Sequence, residues 1–379
     1  MSKYSALYFH LPFCESRCAY CDFYSIGNET KLTGQEIRFT AALRKECELR
    51  APDVSPAGLR TIFFGGGTPT TLDPERLSWA LEPLGIVGKR LSLLEEWTSE
   101  ANPSSIDQKK IEGLVRIGVN RISMGVQSLD DRVLKSLGRV HDGRAVFRAL
   151  AAVFEAGLQN VSVDFLCGVP CQTLETLLEN LRRILSQPLT HVSVYLLTLK
   201  KGHPLYAQLP SEEVQLAELL AVQAELIAQG FEQYETSNFS RAPEFRAKHN
   251  LLYWKARESY LGFGPSAHSY DATKQKRWRN SSSEPSYSKA LLKESIVPVE
   301  NEEIITEEQR EIEKCMLGLR LTEGVPESWF QGKKHHQLNR FIDKNLLFLR
   351  GPAGDQRVSL TAGGIYLLDQ VVSEIVCSE

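Results

Sequence analysis

Several absences narrow the class of this chain before any motif is read. No apolar run reaches the ~18 residues that a membrane-spanning helix needs. The opening residues Met-Ser-Lys-Tyr-Ser-Ala hold no apolar signal-peptide core ahead of the first cysteines. Neither sign of charge dominates: 44 Lys and Arg against 47 Asp and Glu leave a formal −3, which gives no global field for nucleic acid. Eight cysteines, three of them bunched near one end, lack the spread of a secreted disulfide framework. No internal repeat of fixed period stands out beyond an alternation of strand and helix signals. What remains is an ordinary globular composition, 42% hydrophobic and 24% charged, expected in the reducing cytoplasm. The 379 residues are long for one domain and suit a barrel with an appendage.

The pattern that is present supports such a barrel. Apolar, β-rich runs at Ala6–Leu11, Arg60–Phe64, Glu95–Ser99, Arg121–Gly125, Val161–Phe165 and His191–Leu196 predict strands. Between them Glu36–Arg50, Pro74–Leu84, Ala145–Ala156 and Leu174–Leu185 read as amphipathic helices. Some of these stop at a glycine, as at Ala156-Gly157, where a left-handed cap is wanted. Six alternations imply a parallel sheet with right-handed crossovers, short of the eight that close a full barrel. An open, partial (β/α)6 barrel over 1–200 is the α/β fold expected. After residue 200 the alternation stops. A segment over 201–287 is expected to lean on the barrel, its polar stretch 271–287 forming a surface loop or linker. The last part, 288–379, reads as a helical, winged-helix-like domain with a hairpin near Leu346–Thr361. It is not notably basic, so packing on the barrel is expected rather than DNA binding.

The unusual residues fall together on this scheme. Cys14, Cys18 and Cys21 follow strand one as C-x3-C-x2-C, too tightly tethered to serve separate sites. Gly65-Gly66-Gly67-Thr68-Pro69 follows strand two, Glu100-Ala-Asn102-Pro103 strand three, and Gln127 strand four. Asp164 closes strand five, and Thr198 lies just past strand six. Parallel α/β folds carry chemistry at the carboxyl ends of their strands, so one face collects all six signals. The three thiolates suit either a zinc site completed by His10 or a four-iron cluster with one iron left open. Soft ligands favour the cluster. The glycine run lacks the Lys-Ser/Thr ending of a phosphate-binding loop, which argues against a nucleotide triphosphate. Glu100 and Asp164 are placed to accept from ribose hydroxyls, and Arg139 carries a guanidinium fork suited to a carboxylate. Cys167 and Cys171, another C-x3-C pair, read as small packing residues.

The cysteine spacing, preceded by Tyr8 and His-Leu-Pro-Phe, resembles the radical S-adenosylmethionine (SAM) superfamily. Within it the chain is similar to the branch of oxygen-independent coproporphyrinogen III oxidases and heme chaperones, over nearly its whole length. The resemblance implies a 4Fe-4S cluster on Cys14, Cys18 and Cys21, with SAM bound through its open iron. It implies SAM contacts at Tyr8, Gly66 and Glu100. Tyr20, Gly67, Thr68, Gln127, Arg139 and Asp164 match residues around a second SAM in the oxidase. The family usually has glycine where Cys171 stands.

Two departures separate the chain from the oxidases of that branch. They carry a further cysteine two residues after the third ligand, where this chain has Phe23, and a long arm before the cluster, where Cys14 here is nearly terminal. His249-Asn250-x-x-Tyr253-Trp254 matches the HNxxYW motif associated with heme handling in the chaperones. An imidazole can ligate heme iron, and Tyr and Trp can pack on the macrocycle. The expectation is a heme carrier without coproporphyrinogen III oxidase activity. Its cargo is heme and its partner an apo-hemoprotein, respiratory ones among the candidates. No nucleic acid is expected, and peripheral membrane association stays open. The alternatives are the oxidase itself or a related radical SAM methyltransferase.

Overall fold

The computed structural model describes residues 3–27, 33–88, 91, 93–256, 258–352 and 354–376. Six parallel strands run side by side in chain order: β1 (Ala6–Leu11), β2 (Thr61–Gly66), β3 (Glu96–Ala101), β4 (Arg121–Gln127), β5 (Asn160–Cys167) and β6 (His191–Leu196). The crossovers carry α1 (Thr33–Arg50), α2 (Pro74–Leu81), α3 (Gln108–Ile117), α4 (Gly143–Glu155) and α5 (Leu174–Leu185). Their starts are written locally. Asp73, Asp107 and Asp142 each accept a hydrogen bond from a first-turn amide, and Thr173 opens α5 with a capping box.

Side chains alternate across each strand and so divide the sheet into two unlike faces. Leu7, Phe9, Ile62, Phe64, Trp97, Ile122, Met124, Val161, Val163 and Val192 are buried in one core with the crossover helices. Each such side chain contributes roughly 1.5–3 kcal/mol by leaving water. The alternate residues are polar and bond to one another inside the curve. Arg121 donates to Thr98, Ser123 to Asp164, and Ser162 pairs with His191. The outer face holds the fold, and the inner face is left for chemistry.

The sheet extends past both ends of the six. Asn238–Ser240 joins β6 antiparallel. On the other side Tyr260–Phe263 adds to β1 in parallel, in the register Ala6↔Tyr260, and the sheet continues antiparallel through His268–Asp271, Lys276–Asn280 and Val299–Ile304. The stretch expected as a surface loop or linker, 271–287, is therefore largely structured. Part of its polarity serves a buried network, through Asn280, Glu284 and Tyr287. The Glu46 carboxylate accepts from Asn280 Nδ2 (2.8 Å), the Tyr287 hydroxyl (2.6 Å) and the Gly264 amide (2.8 Å). Arg50 pairs with the same carboxylate at 3.1 Å and donates to Asn280 Oδ1 at 2.9 Å.

The C-terminal part has a core of its own, including Leu319, Phe330, Leu338, Phe341, Val358 and Val371. Helices Glu307–Gly318 and Lys333–Asp343 precede a hairpin of Leu347–Arg350 and Arg357–Leu360, with Val325–Pro326 as a third short strand. This is the helical, winged arrangement anticipated from the sequence. Among the described residues no helix is long and apolar enough to cross a membrane.

Candidate functional site

The carboxyl ends of β1 to β5 surround one cavity of about 320 Å³. Cys14, Cys18 and Cys21 line it with Tyr20, Gly66, Gly67, Thr68, Glu100, Gln127, Arg139 and Asp164. The cysteine loop is fixed by backbone bonds to its neighbours. Phe13–Cys14 pairs with Ile26–Gly27, Ala19 donates to Leu137 O, and the glycine turn clamps the start of the loop. The Gly67 amide donates to Leu11 O at 2.9 Å and the Thr68 amide to Phe13 O at 2.7 Å. Burial raises the Cys14 and Cys21 thiols above their ordinary range. Thr68 Oγ1 reaches Cys14 Sγ at 3.5 Å, and Arg139 Nη1 reaches Cys18 Sγ at 3.4 Å. Among the described residues no three His, Cys, Asp or Glu donors converge within reach of a single ion; the thiols line a cavity instead.

Glu100 and Asp164 face the same space. Burial and then the charge of Asp164 push the Glu100 carboxyl up to about 8, against a hydrogen bond from the Gly66 amide and the charge of Arg121. Burial also raises Asp164, although Ser193 and Ser123 donate to it. A carboxyl pushed up in the fold binds a proton that the unfolded chain has released, so ligand-free stability falls as pH climbs from about 5 to about 8. Glu100→Gln is expected to flatten that fall, seen as a smaller drop in Tm between pH 5 and 8.5. Identical slopes for the two chains would refute this environment for Glu100.

Tyr8 stands beside the cavity. Its ring stacks on Phe63 at 6.1 Å, and its hydroxyl lies 3.1 Å from His10 Nδ1. His10 is itself occupied, its Nε2 2.8 Å from Tyr24 O, and burial lowers it to about 4. Gln127 sits at a β-bulge with φ +66°, which turns it onto the lining. Arg139 does not stand free for a ligand carboxylate: Nη2 donates to Asn102 Oδ1 (2.6 Å) and to Gly125 O. Sequence reasoning did not single out Ser123, which donates to Asp164. Phe23, noted for the cysteine it replaces, lies on the rim and is 69% exposed.

The His249–Trp254 motif is elsewhere, on helix Lys248–Lys255 behind β2. His249 is 1% exposed, stacked on Phe63, and pushed down to about 3 by burial. Its Nδ1 lies 2.8 Å from Thr61 Oγ1 and its Nε2 2.8 Å from the Tyr253 hydroxyl. Both nitrogens are thus engaged within the fold. Tyr253 faces a second cavity of about 270 Å³ shared with Tyr260, Tyr270, Met316 and Leu317, and the Arg320 guanidinium lies 5.1 Å over Trp254. Asn250 is on the same helix, part-buried.

The family model described as Radical SAM superfamily matches residues 8–184. The heme chaperone HemW of Bacillus subtilis is 36% identical over 340 residues, covering 88% of this chain and 87% of that protein. The chain belongs to the HemW family. HemW of Mycobacterium tuberculosis is 32% identical over 381 residues, 98% of this chain and 94% of that protein. Coproporphyrinogen III oxidase (HemN) from Escherichia coli superposes over all of this chain and 91% of its own, with a TM-score of 0.81 at 21% identity. That likeness shows the fold, a partial barrel with a helical appendage.

Proposed function

We propose that this chain is a cytoplasmic heme chaperone that holds a SAM-coordinated 4Fe-4S cluster and hands heme to an apo-hemoprotein. Full-length similarity to proteins named for that role is the observation that carries the reading. The residues present fit the cluster: three soft thiols line one cavity, with hydroxyl and guanidinium donors already aimed at two sulfurs. A 4Fe-4S cluster with SAM on its open iron supplies one-electron chemistry when bound. Around it the chain's own groups position the ligand. Gly66 and Gly67 bring backbone close, Glu100 and Asp164 accept from hydroxyls, and Tyr8, Tyr20, Thr68 and Gln127 complete the SAM contacts, while Arg139, held by Asn102 and Gly125 O, fixes the lining beside Cys18. Phe23 occupies the position of the oxidases' extra cysteine and supplies no thiol, which supports a chain without coproporphyrinogen III oxidase activity.

For heme we propose the segment His249, Asn250, Tyr253 and Trp254, with His249 acting through the Tyr253 hydroxyl it holds. Anaerobic hemin titration of the cluster-loaded protein, followed by absorbance, tests the reading. Saturation near one heme per chain is expected. Tyr253→Phe and Trp254→Ala should weaken it. His249→Ala should weaken it and also cost about 2 kcal/mol of stability, since it strands the Thr61 and Tyr253 hydroxyls. Absence of saturable binding would overturn the carrier role, as would anaerobic decarboxylation of coproporphyrinogen III. Binding indifferent to all three substitutions would move the heme elsewhere.

A further inference from the structure

Asn102 lies between two of the three thiols. Its Oδ1 accepts from Arg139 Nη2 at 2.6 Å, and Arg139 Nη1 reaches Cys18 Sγ at 3.4 Å. Its Nδ2 donates to Thr68 Oγ1 at 2.9 Å, and Thr68 Oγ1 reaches Cys14 Sγ at 3.5 Å. The direction of this chain of bonds is chemically forced. A guanidinium can only donate, so the amide oxygen of Asn102 faces Arg139 and its NH2 faces Thr68. The Thr68 hydroxyl, accepting from that NH2, keeps its single proton for Cys14. One amide therefore sends a donor to each of two sulfurs. Cys21 is outside the chain and takes a bond from the Phe23 backbone instead.

We infer that Asn102 is a positioning residue that, through Arg139 and Thr68, sets the electron demand on Cys14 and Cys18 and so raises the reduction potential of the site. This rests on the reading of the three cysteines as cluster ligands. Reduction adds negative charge that is shared by the sulfurs, and donors held on those sulfurs stabilise the reduced form more than the oxidised one. The polarity runs from the Arg139 guanidinium to Cys18 and from the Asn102 amide through the Thr68 hydroxyl to Cys14, so both sulfurs meet a donor.

The test uses the full chain, reconstituted anaerobically without SAM, with iron and sulfide counted and the potential read by dye-mediated titration with spin-resonance detection. Asn102→Leu and Thr68→Val are expected to load as the parent does but to resist reduction. At a fixed poise the reduced-to-oxidised ratio should fall about tenfold, or ~59 mV for a one-electron couple. Thr68→Ser, which keeps the hydroxyl, should restore the parent potential. Because Thr68 acts in series with Asn102, the double variant should shift less than the sum of the singles. Should Asn102→Leu fail to load, Thr68→Val and its serine rescue decide the matter alone. Loaded variants that titrate with the parent overturn this inference and leave the cluster reading standing. A parent that takes up no iron overturns both.

Discussion

Cys18→Ala is expected to abolish iron–sulfur loading, while Cys171→Ala leaves it intact. The parent should take up about four irons per chain, three of them held by thiolates. Cys18 sits in a loop clamped at Cys14, on the strand pair with Ile26–Gly27, and right beside Cys18 itself, by the Ala19 amide on Leu137 O. Among the described residues no other soft donor lines the cavity, whose remaining lining is hydroxyl, amide, carboxylate, guanidinium and apolar. With Cys18 removed one iron has no protein sulfur within reach, and Arg139 is left with an orphaned donor where a thiolate stood. Iron and sulfide content should fall more than tenfold, with loss of the charge-transfer absorbance. Cys14→Ala and Cys21→Ala should behave alike. Cys167 is buried in the core at the end of β5, its thiol pushed up by that burial, and Cys171 is exposed on the turn beyond it, outside the cavity lining. Parent-like iron in Cys18→Ala would sink the cluster assignment.

That contrast between two C-x3-C pairs shows what was legible and what was not. The pairs look alike on paper and both fall at the carboxyl end of a strand; what set Cys167 and Cys171 apart was the glycine that the resembling family usually has at position 171. Cys171 proves to have φ +67°, a conformation that costs glycine nothing, which is the physical reason the position favours glycine. Strands β1 to β6 were legible because burial on their outer face demands long apolar runs. The chain extends β2, β3, β4 and β5 by two residues past the expected ends, since a strand's end is set by backbone pairing rather than by its side-chain pattern. Tyr260–Phe263 was not legible as a sheet member. Its register with Ala6–Phe9 is set by contact across more than 250 residues, and four residues with an internal glycine carry no periodic signal. The polar stretch 271–287 misled for a related reason: Asn280, Glu284 and Tyr287 are buried, and their hydrogen-bond partners Glu46, Arg38 and Arg50 lie far away in sequence. At the site, residue type and strand-end placement marked Glu100, Gln127 and Asp164. The pairing of Arg139 and Thr68 through Asn102 needed the folded geometry, because nothing in the sequence says which end of an amide faces which neighbour.

Gly67→Ala is expected to pull the cysteine loop away from the glycine turn and to cost roughly 3 kcal/mol, at the upper end for overpacking. A Cβ at residue 67 would lie 2.6 Å from Pro12 C and 2.7 Å from both Pro12 O and Phe13 O. These are backbone atoms of the segment that leads into Cys14, so no side-chain rotation relieves them. The same short segment is tied to the turn by Gly67 N→Leu11 O and Thr68 N→Phe13 O, and the methyl pushes against both bonds at once. Whatever moves to admit it lengthens the Thr68 to Cys14 contact on the cavity lining. Gly66→Ala should be destabilising by a different route. There φ is +101° and the new methyl meets the His10 ring at 2.6 Å, a ring held by Tyr24 O and the Tyr8 hydroxyl. Gly34→Ala provides the comparison, since nothing lies within 4 Å of its Cβ and alanine favours the helix it begins. Denaturant unfolding of the ligand-free chains should place Gly34→Ala at or above the parent and Gly67→Ala well below it, with iron loading lost only in the latter. A Gly67→Ala chain that unfolds and loads as the parent does would mean that the turn and the loop are not in contact, and the cavity built from them would have to be redrawn.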